Sequence, residues 1–294
     1  MKHVVVTGAT SGIGEATALH LAAHGFRVIG TARSAEKAEK LRARAAERGC
    51  ALTTVLMELT DPDSCRDGFA EITDLTQGGP WALVNNAGVA PVGAFEDVSD
   101  ATARATLEVN LLATARLTRL VLPGMRRRGS GRIVNMSSLG GIVAMPLNSW
   151  YAASKFALEA LTDSLRMETS ACGIRYSLIE PGLIDTPMVT NALAGLPPQS
   201  RYAHSYAVLR RLGPAAPTRT ADVVARTVRR ALEARRPRRR YRIGLETPLA
   251  HLARITPAAV TDRVLRAAVR LDHSAHQPDP QNTSAHTSGA PRNR

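Results

Sequence analysis

The chain has 294 residues, 44% of them hydrophobic and 21% charged, enough to bury a large core in one big domain or two ordinary ones. No apolar run approaches the roughly 18 residues of a membrane span, and Cys50, Cys65 and Cys172 are too scattered for a metal site or a disulfide framework. The net charge is +13, and Arg235, Arg236, Arg238, Arg239, Arg240 and Arg242 stand together with no acid between them. Neither aromatic interleaving nor a nucleic-acid motif accompanies that run. It therefore reads as a solvated helix end and turn, and no nucleic-acid partner is expected. The N-terminus enters an apolar segment at once, without the apolar region and cleavage site of a signal peptide. A cytoplasmic protein is expected.

Residues 3–7 read as a short buried strand, and Thr7-Gly8-Ala9-Thr10-Ser11-Gly12-Ile13-Gly14 follows directly. Residues 15–23 then have helical character. Strand, glycine turn and helix form the arrangement that cradles a phosphate. The glycines let backbone amides approach it, and the helix N-terminus adds a favourable dipole. Residues 26–32 form a second strand that ends at Arg33-Ser34, with no carboxylate before Glu36. At this strand end of a dinucleotide-binding fold, an acid holds a ribose diol, whereas an arginine grips a 2′-phosphate through paired hydrogen bonds. NADP(H) is therefore favoured over NAD(H).

A charged helix over 36–48 follows, then a strand over 53–57 that leads into Glu58-Leu59-Thr60-Asp61. A further strand over 81–84 ends in Asn85-Asn86-Ala87-Gly88, one over 131–136 in Ser137-Ser138, and one over 174–179 in Glu180-Pro181-Gly182. Helical segments lie between them. This alternation predicts an α/β fold, a doubly wound Rossmann-type parallel sheet in three αβα layers, as a single domain over 1–272. Ligands of such sheets lie beyond the carboxyl ends of the strands, where every one of these motifs falls.

Tyr151 stands four residues before Lys155 in a stretch with helical apolar spacing, so the phenol and the ammonium share a face. A free phenol has a pKa of about 10. A cation within about 4–6 Å stabilises the phenolate, which predicts that Lys155 lowers the tyrosine pKa towards neutrality.

Taken together, the glycine turn, Asn86-Ala87-Gly88, Asn110, Ser138 thirteen residues before Tyr151, Tyr151-x-x-x-Lys155 and Pro181-Gly182 carry a resemblance. The chain resembles the short-chain dehydrogenase/reductase family in its single-domain form, and within it the 17β-hydroxysteroid and retinol dehydrogenase group. The resemblance implies an NADP(H)-dependent oxidoreductase that interconverts a ketone or aldehyde and an alcohol. Tyr151 would be general acid in reduction and base in oxidation. Lys155 would tune it and bind the nicotinamide ribose. Ser138 would hydrogen-bond the substrate oxygen, and Asn110 would support a water chain from Lys155.

For the cofactor, the resemblance implies Gly8, Thr10, Ser11, Gly12, Ile13 and Gly14 at the pyrophosphate, and Arg33 and Ser34 at the 2′-phosphate. Asn86, Ala87 and Gly88 would wall the adenosine end. Pro181, Gly182, Ile184 and Thr186 would flank the nicotinamide. Glu58 and Leu59 occupy the adenine-contacting position, where the family usually has aspartate and a small apolar residue, so that contact is in question. No metal is expected. A homodimer or homotetramer through the helices bearing Asn110 and Tyr151 is implied. A catalytically silent NADP-binding sensor is the alternative, but it calls for a broken catalytic set and this one is intact.

The substrate side is less defined. Residues 187–217 are expected to lid the pocket. Their apolar members, among them Met188, Val189, Leu193, Leu196, Tyr202, Tyr206 and Val208, suggest a small lipophilic ketone or alcohol, steroid-, retinoid-, fatty- or polyketide-like. Gly140, Met145, Leu147, Asn148 and Leu183 are further wall candidates. Residues 238–244 resemble the last strand of the group, and one or two short helices over 248–272 could cover the pocket. Residues 273–294 are polar and proline-containing, as in a disordered tail.

Overall fold

In a computed structural model, described for residues 1–197, 199–212, 218–244 and 246–271, the chain alternates strands and helices. The first half comprises β1 (His3–Val6), α1 (Gly12–Ala22), β2 (Arg27–Ala32), α2 (Ala35–Glu47), β3 (Thr53–Leu56), α3 (Pro62–Thr76) and β4 (Ala82–Asn85). Next come α4 (Asp100–Leu107), a π-helical turn over Glu108–Leu112, α5 (Ala113–Arg128), β5 (Gly131–Met136), α6 (Ser149–Glu168) and β6 (Ile174–Pro181). The last elements are α7 (Pro187–Ala194), α8 (Ala203–Leu212), α9 (Ala221–Glu233), β7 (Arg240–Ile243), α10 (Glu246–Ala253) and α11 (Ala258–Ala268). The expected strands are all present, most with ends within one or two residues of the sequence reading. The expected tail over 273–294 lies outside the described residues.

The seven strands form one parallel sheet in the order β3-β2-β1-β4-β5-β6-β7. The chain reverses direction across the sheet between β1 and β4, and such a switch point opens a crevice at the strand ends. Successive strand residues face opposite layers. Val4 and Val6 of β1 pack with α1, α2 and α9, whereas Val5 packs with α3 and α5. Both faces are thus covered, which explains the continuous apolar runs of the central strands.

A third, smaller core lies apart from the sheet. Leu147, Leu196, Tyr206, Val269 and Ala94 bury one another there. The Tyr206 hydroxyl accepts from Ala94 N at 2.7 Å and donates to Asp97. Most of the segment expected as a lid is therefore two helices, and α8 is fastened to the loop after β4. Tyr206 and Val208, expected along a substrate pocket, are buried in packing instead. The basic run divides as well. Arg235, Arg236, Arg238 and Arg239 are exposed, but Arg240 lies in β7 and pairs with Glu159 and Asp163 of α6 and Glu180 of β6. Its acids come from distant parts of the chain, so the sequence showed none nearby. No helix among the described residues is long and apolar enough to cross a membrane.

Candidate active site

The glycine turn is shaped by what it touches. Gly8 (φ +61°) and Gly12 (φ +54°) take the left-handed conformation that glycine adopts without steric cost. A Cβ on Gly14 would stand 2.1 Å from the Gly8 carbonyl oxygen and 2.4 Å from Asn86 Nδ2, and one on Gly8 3.0 Å from Ala87 Cα. The turn is therefore pressed against the loop after β4. Thr7, not among the expected site residues, fixes that contact: its Oγ1 accepts from Asn86 N and Ala87 N, each at 3.0 Å, and Asn86 Nδ2 donates to Thr7 O at 3.0 Å. Thr10 and Ser11 lie on the turn, with Ser11 exposed at the start of α1 and Ile13 partly buried against the core.

Around this turn the other expected residues fall at strand ends. Arg33 is exposed after β2, and Ser34 caps α2 by accepting from Lys37 N at 3.4 Å. Glu58 after β3 turns back on its own loop, accepting from Thr60 N at 3.1 Å and Thr60 Oγ1 at 2.9 Å, while Leu59 is buried in the core. Pro181 ends β6 and Ile184 is buried. Thr186 precedes α7, and a Cβ on Gly12 would meet its Cγ2 at 3.4 Å. The chain ends of β1 and β6 thereby face one another across the crevice. Glu246 of α10 leans over Gly182, accepting from Leu183 N at 2.8 Å. Nothing in the sequence marked Glu246, because 63 residues separate it from its partner.

On the other side of the crevice lies the polar group that the sequence singled out. Lys155 is 4% exposed, and its Nζ donates to Met136 O at 2.9 Å. Tyr151 lies one turn away, with its ring centroid 5.6 Å from that Nζ. Its ring packs on Gly140, where a Cβ would stand 3.0 Å from Tyr151 Cε1 and 3.8 Å from Ser138 Oγ. Ser138 extends from the end of β5 (φ −169°) and accepts from Gly140 N at 3.1 Å. Asn110, buried in the π-turn, binds the Val89 backbone in both directions and donates to Ser154 Oγ, each at 2.9 Å. Insertions of this kind in a helix recur at functional sites. Here the wide turn aims Asn110 at the segment carrying Gly88, whose Cβ, if it had one, would lie 3.1 Å from Asn110 Oδ1 and 3.7 Å from Lys155 Nζ.

Burial dominates the electrostatics. It pushes the Lys155 ammonium down from 10.5 to about 8, with Glu159 acting the other way. Burial also pushes the Tyr151 phenol up, opposed by a hydrogen bond with Ser138. Lys155 was expected to supply part of a downward shift of the phenol; in the cofactor-free protein burial sets the direction instead, and it is upward. A phenol so held is a proton donor at neutral pH.

The mouth of the group is apolar. Trp150, the residue before Tyr151, stacks on Phe95 with centroids 5.8 Å apart, and Phe95 is 68% exposed. Leu183 and Met188, after β6, are also exposed. Of the expected wall residues, Gly140 touches the Tyr151 ring, whereas Leu147 is turned into the small core.

Comparison with known proteins agrees with this geometry. A family profile described as short chain dehydrogenase matches residues 2–196. An uncharacterized oxidoreductase of Escherichia coli, YbbO, is 35% identical over 266 residues, spanning 90% of this chain and 94% of that one. Human retinol dehydrogenase 5 is 34% identical over 282 residues, spanning 89% and 87%. Among solved structures, a short-chain dehydrogenase from Streptomyces avermitilis superposes with a TM-score of 0.77 at 30% identity, covering 93% of this chain and 98% of that one. The chain belongs to the short-chain dehydrogenase/reductase family. It is an oxidoreductase that acts on CH–OH groups with NAD(P).

Proposed function

We propose that the protein is an NADP(H)-dependent carbonyl reductase and alcohol dehydrogenase for a small lipophilic substrate. The observation that carries the reading is the convergence of Tyr151, Ser138, Lys155 and Asn110 at the ends of β4 and β5, under an apolar mouth. The glycine turn fits a dinucleotide, because Gly8 and Gly12 hold left-handed backbone between the end of β1 and the N-terminus of α1. Gly8, Thr10, Ser11, Gly12, Ile13 and Gly14 would hold the pyrophosphate, and Arg33 with Ser34 the 2′-phosphate. Glu58, Leu59, Asn86, Ala87 and Gly88 would line the adenosine end, and Pro181, Gly182, Ile184 and Thr186 the nicotinamide. Bound there, the nicotinamide supplies or accepts hydride.

This chain supplies the proton and the electrostatics. In reduction, Tyr151 delivers its phenolic proton to the substrate oxygen while the Ser138 hydroxyl donates a hydrogen bond to it, where negative charge grows. Lys155, as ammonium, stabilises the phenolate that forms. Asn110 fixes Ser154 and the segment at Gly88, and so the floor on which Lys155 lies. In oxidation the same groups act in reverse. The stacked pair of exposed Phe95 and half-buried Trp150 and the likeness to a retinol dehydrogenase favour a lipophilic ketone, aldehyde or alcohol. The partly exposed apolar residues Phe156 and Leu112, on or beside the helices bearing Tyr151 and Asn110, suit a homo-oligomer formed through those helices.

The test is titration of the purified protein with NADPH and with NADH, followed by a panel of ketones and aldehydes. Tight NADPH binding with oxidation on lipophilic carbonyls is expected. Binding with no turnover across a broad panel would overturn the enzymatic part, and a preference for NADH the assignment of Arg33.

A further inference from the structure

Glu159 stands one helical turn beyond Lys155 on α6 and is only 8% exposed; the chemistry above does not use it. A carboxylate in that setting is costly without a cation. Arg240 reaches it from β7. Its Nε lies 2.9 Å from Glu159 Oε2, and its Nη2 2.7 Å from Asp163 Oδ2. Arg240 and Arg242 also face the buried Glu180 of β6 at 3.2 and 3.6 Å, and His251 of α10 lies 3.2 Å from Glu180.

The acid and the lysine meet the same strand end. Met136 receives Lys155 through its carbonyl, and the next residue, Ser137, lies against Glu159. A Cβ on Gly141 would stand 2.7 Å from Ser137 Oγ and 3.3 Å from Glu159 Cγ, so only glycine lets them close. Beyond this group opens a cleft of about 500 Å³ lined by Phe156, Arg240, Arg242, His251 and Arg254.

We propose that Glu159, paired with Arg240, is a positioning residue that holds Lys155 as an ammonium from one helical turn beyond it. The inference rests on the reading of Tyr151 and Lys155 as the reacting pair. The ion pair with Arg240 is what works against protonation of the acid. Burial pushes the Glu159 carboxyl up and Glu180 adds to this, while Ser137 and Arg240 oppose them. The Glu159 charge in turn opposes the desolvation of Lys155. Glutamine at 159 would keep the shape and remove the charge. Methionine at 240 would leave the acid but let it take up a proton.

The test is direct because the chain has four lysines, Lys2, Lys37, Lys40 and Lys155. In cofactor-free protein labelled at lysine Cε, the pH titration of each can be followed by NMR. Lys155 is expected to titrate about one pH unit lower in Glu159→Gln and in Arg240→Met, a shift at the low end of those a neighbouring charge causes. The double variant should add little, since both changes remove one effect. The alkaline limb of kcat should move down with it, and Glu159→Asp should restore part of the shift. An unmoved Lys155 titration in a folded Glu159→Gln protein would overturn the proposal, even if activity falls. If the wild-type protein turns over no carbonyl compound, the functional reading fails, but the NMR titration still decides this inference.

Discussion

At the residue scale, Tyr151 is the proton donor of the proposed reaction. Tyr151→Phe removes the proton donor but keeps the ring on Gly140. Turnover should fall by about 10²–10⁴-fold, the range of general acid–base contributions, with NADPH affinity nearly unchanged in a fluorescence titration. Arg33 is exposed and makes no hydrogen bond or ion pair among the described residues, so its replacement should cost little stability. Loss of hydrogen bonds to a charged group costs about 1.5–3 kcal/mol. Arg33→Ala should therefore weaken NADPH by roughly 10–100-fold and leave NADH within about threefold, as equilibrium titration of both would show.

At the element scale, the segment between β6 and α9 shows how far local sequence reaches. Its apolar content was plain, but α7 and α8 have different tasks. Met188 and Val189 of α7 are exposed, whereas Tyr206 of α8 is sealed into the small core and Val208 is buried. Which face of a short helix is buried depends on its neighbours, here Ala94, Leu147 and Val269. Tyr206→Phe leaves Ala94 N without its acceptor, which should lower stability by about 1–3 kcal/mol in urea unfolding. The loosened helix should also raise KM for a bulky ketone more than it changes kcat. The aromatic pair at the mouth makes a separate claim: Phe95→Ala should raise KM for lipophilic carbonyls several-fold and barely affect a small aldehyde.

For the whole molecule, the buried lysine makes stability depend on pH in an unusual direction. Its folded pKa, about 8, lies below the ordinary 10.5. Between these values the unfolded chain binds more protons, so the Lys155 contribution to stability rises with pH across that window and is absent below about pH 8. Keeping the buried ammonium charged at neutral pH costs about 3 kcal/mol. Lys155→Met should therefore be inactive yet more stable than wild type at pH 7 by about 1–2 kcal/mol, and the gap should shrink above pH 8. Denaturant midpoints at pH 7 and 9.5 would check both statements.

The sequence by itself determined the parallel α/β sheet and pointed to the strand ends and the Tyr151–Lys155 pair of the candidate site. Strand period, glycine turns and the four-residue spacing of Tyr151 and Lys155 are local signals, and parallel sheets put their ligands at strand ends by geometry alone. Only the tertiary structure decided the rest. The Thr7 clamp, the π-turn at Asn110, Glu246 over Gly182, and the pairing of Arg240 with Glu159 join residues far apart in the chain. The sign of the Tyr151 shift was decided there too, because spacing places a cation beside a phenol, while burial, which a linear sequence does not carry, sets what it costs to ionise either one.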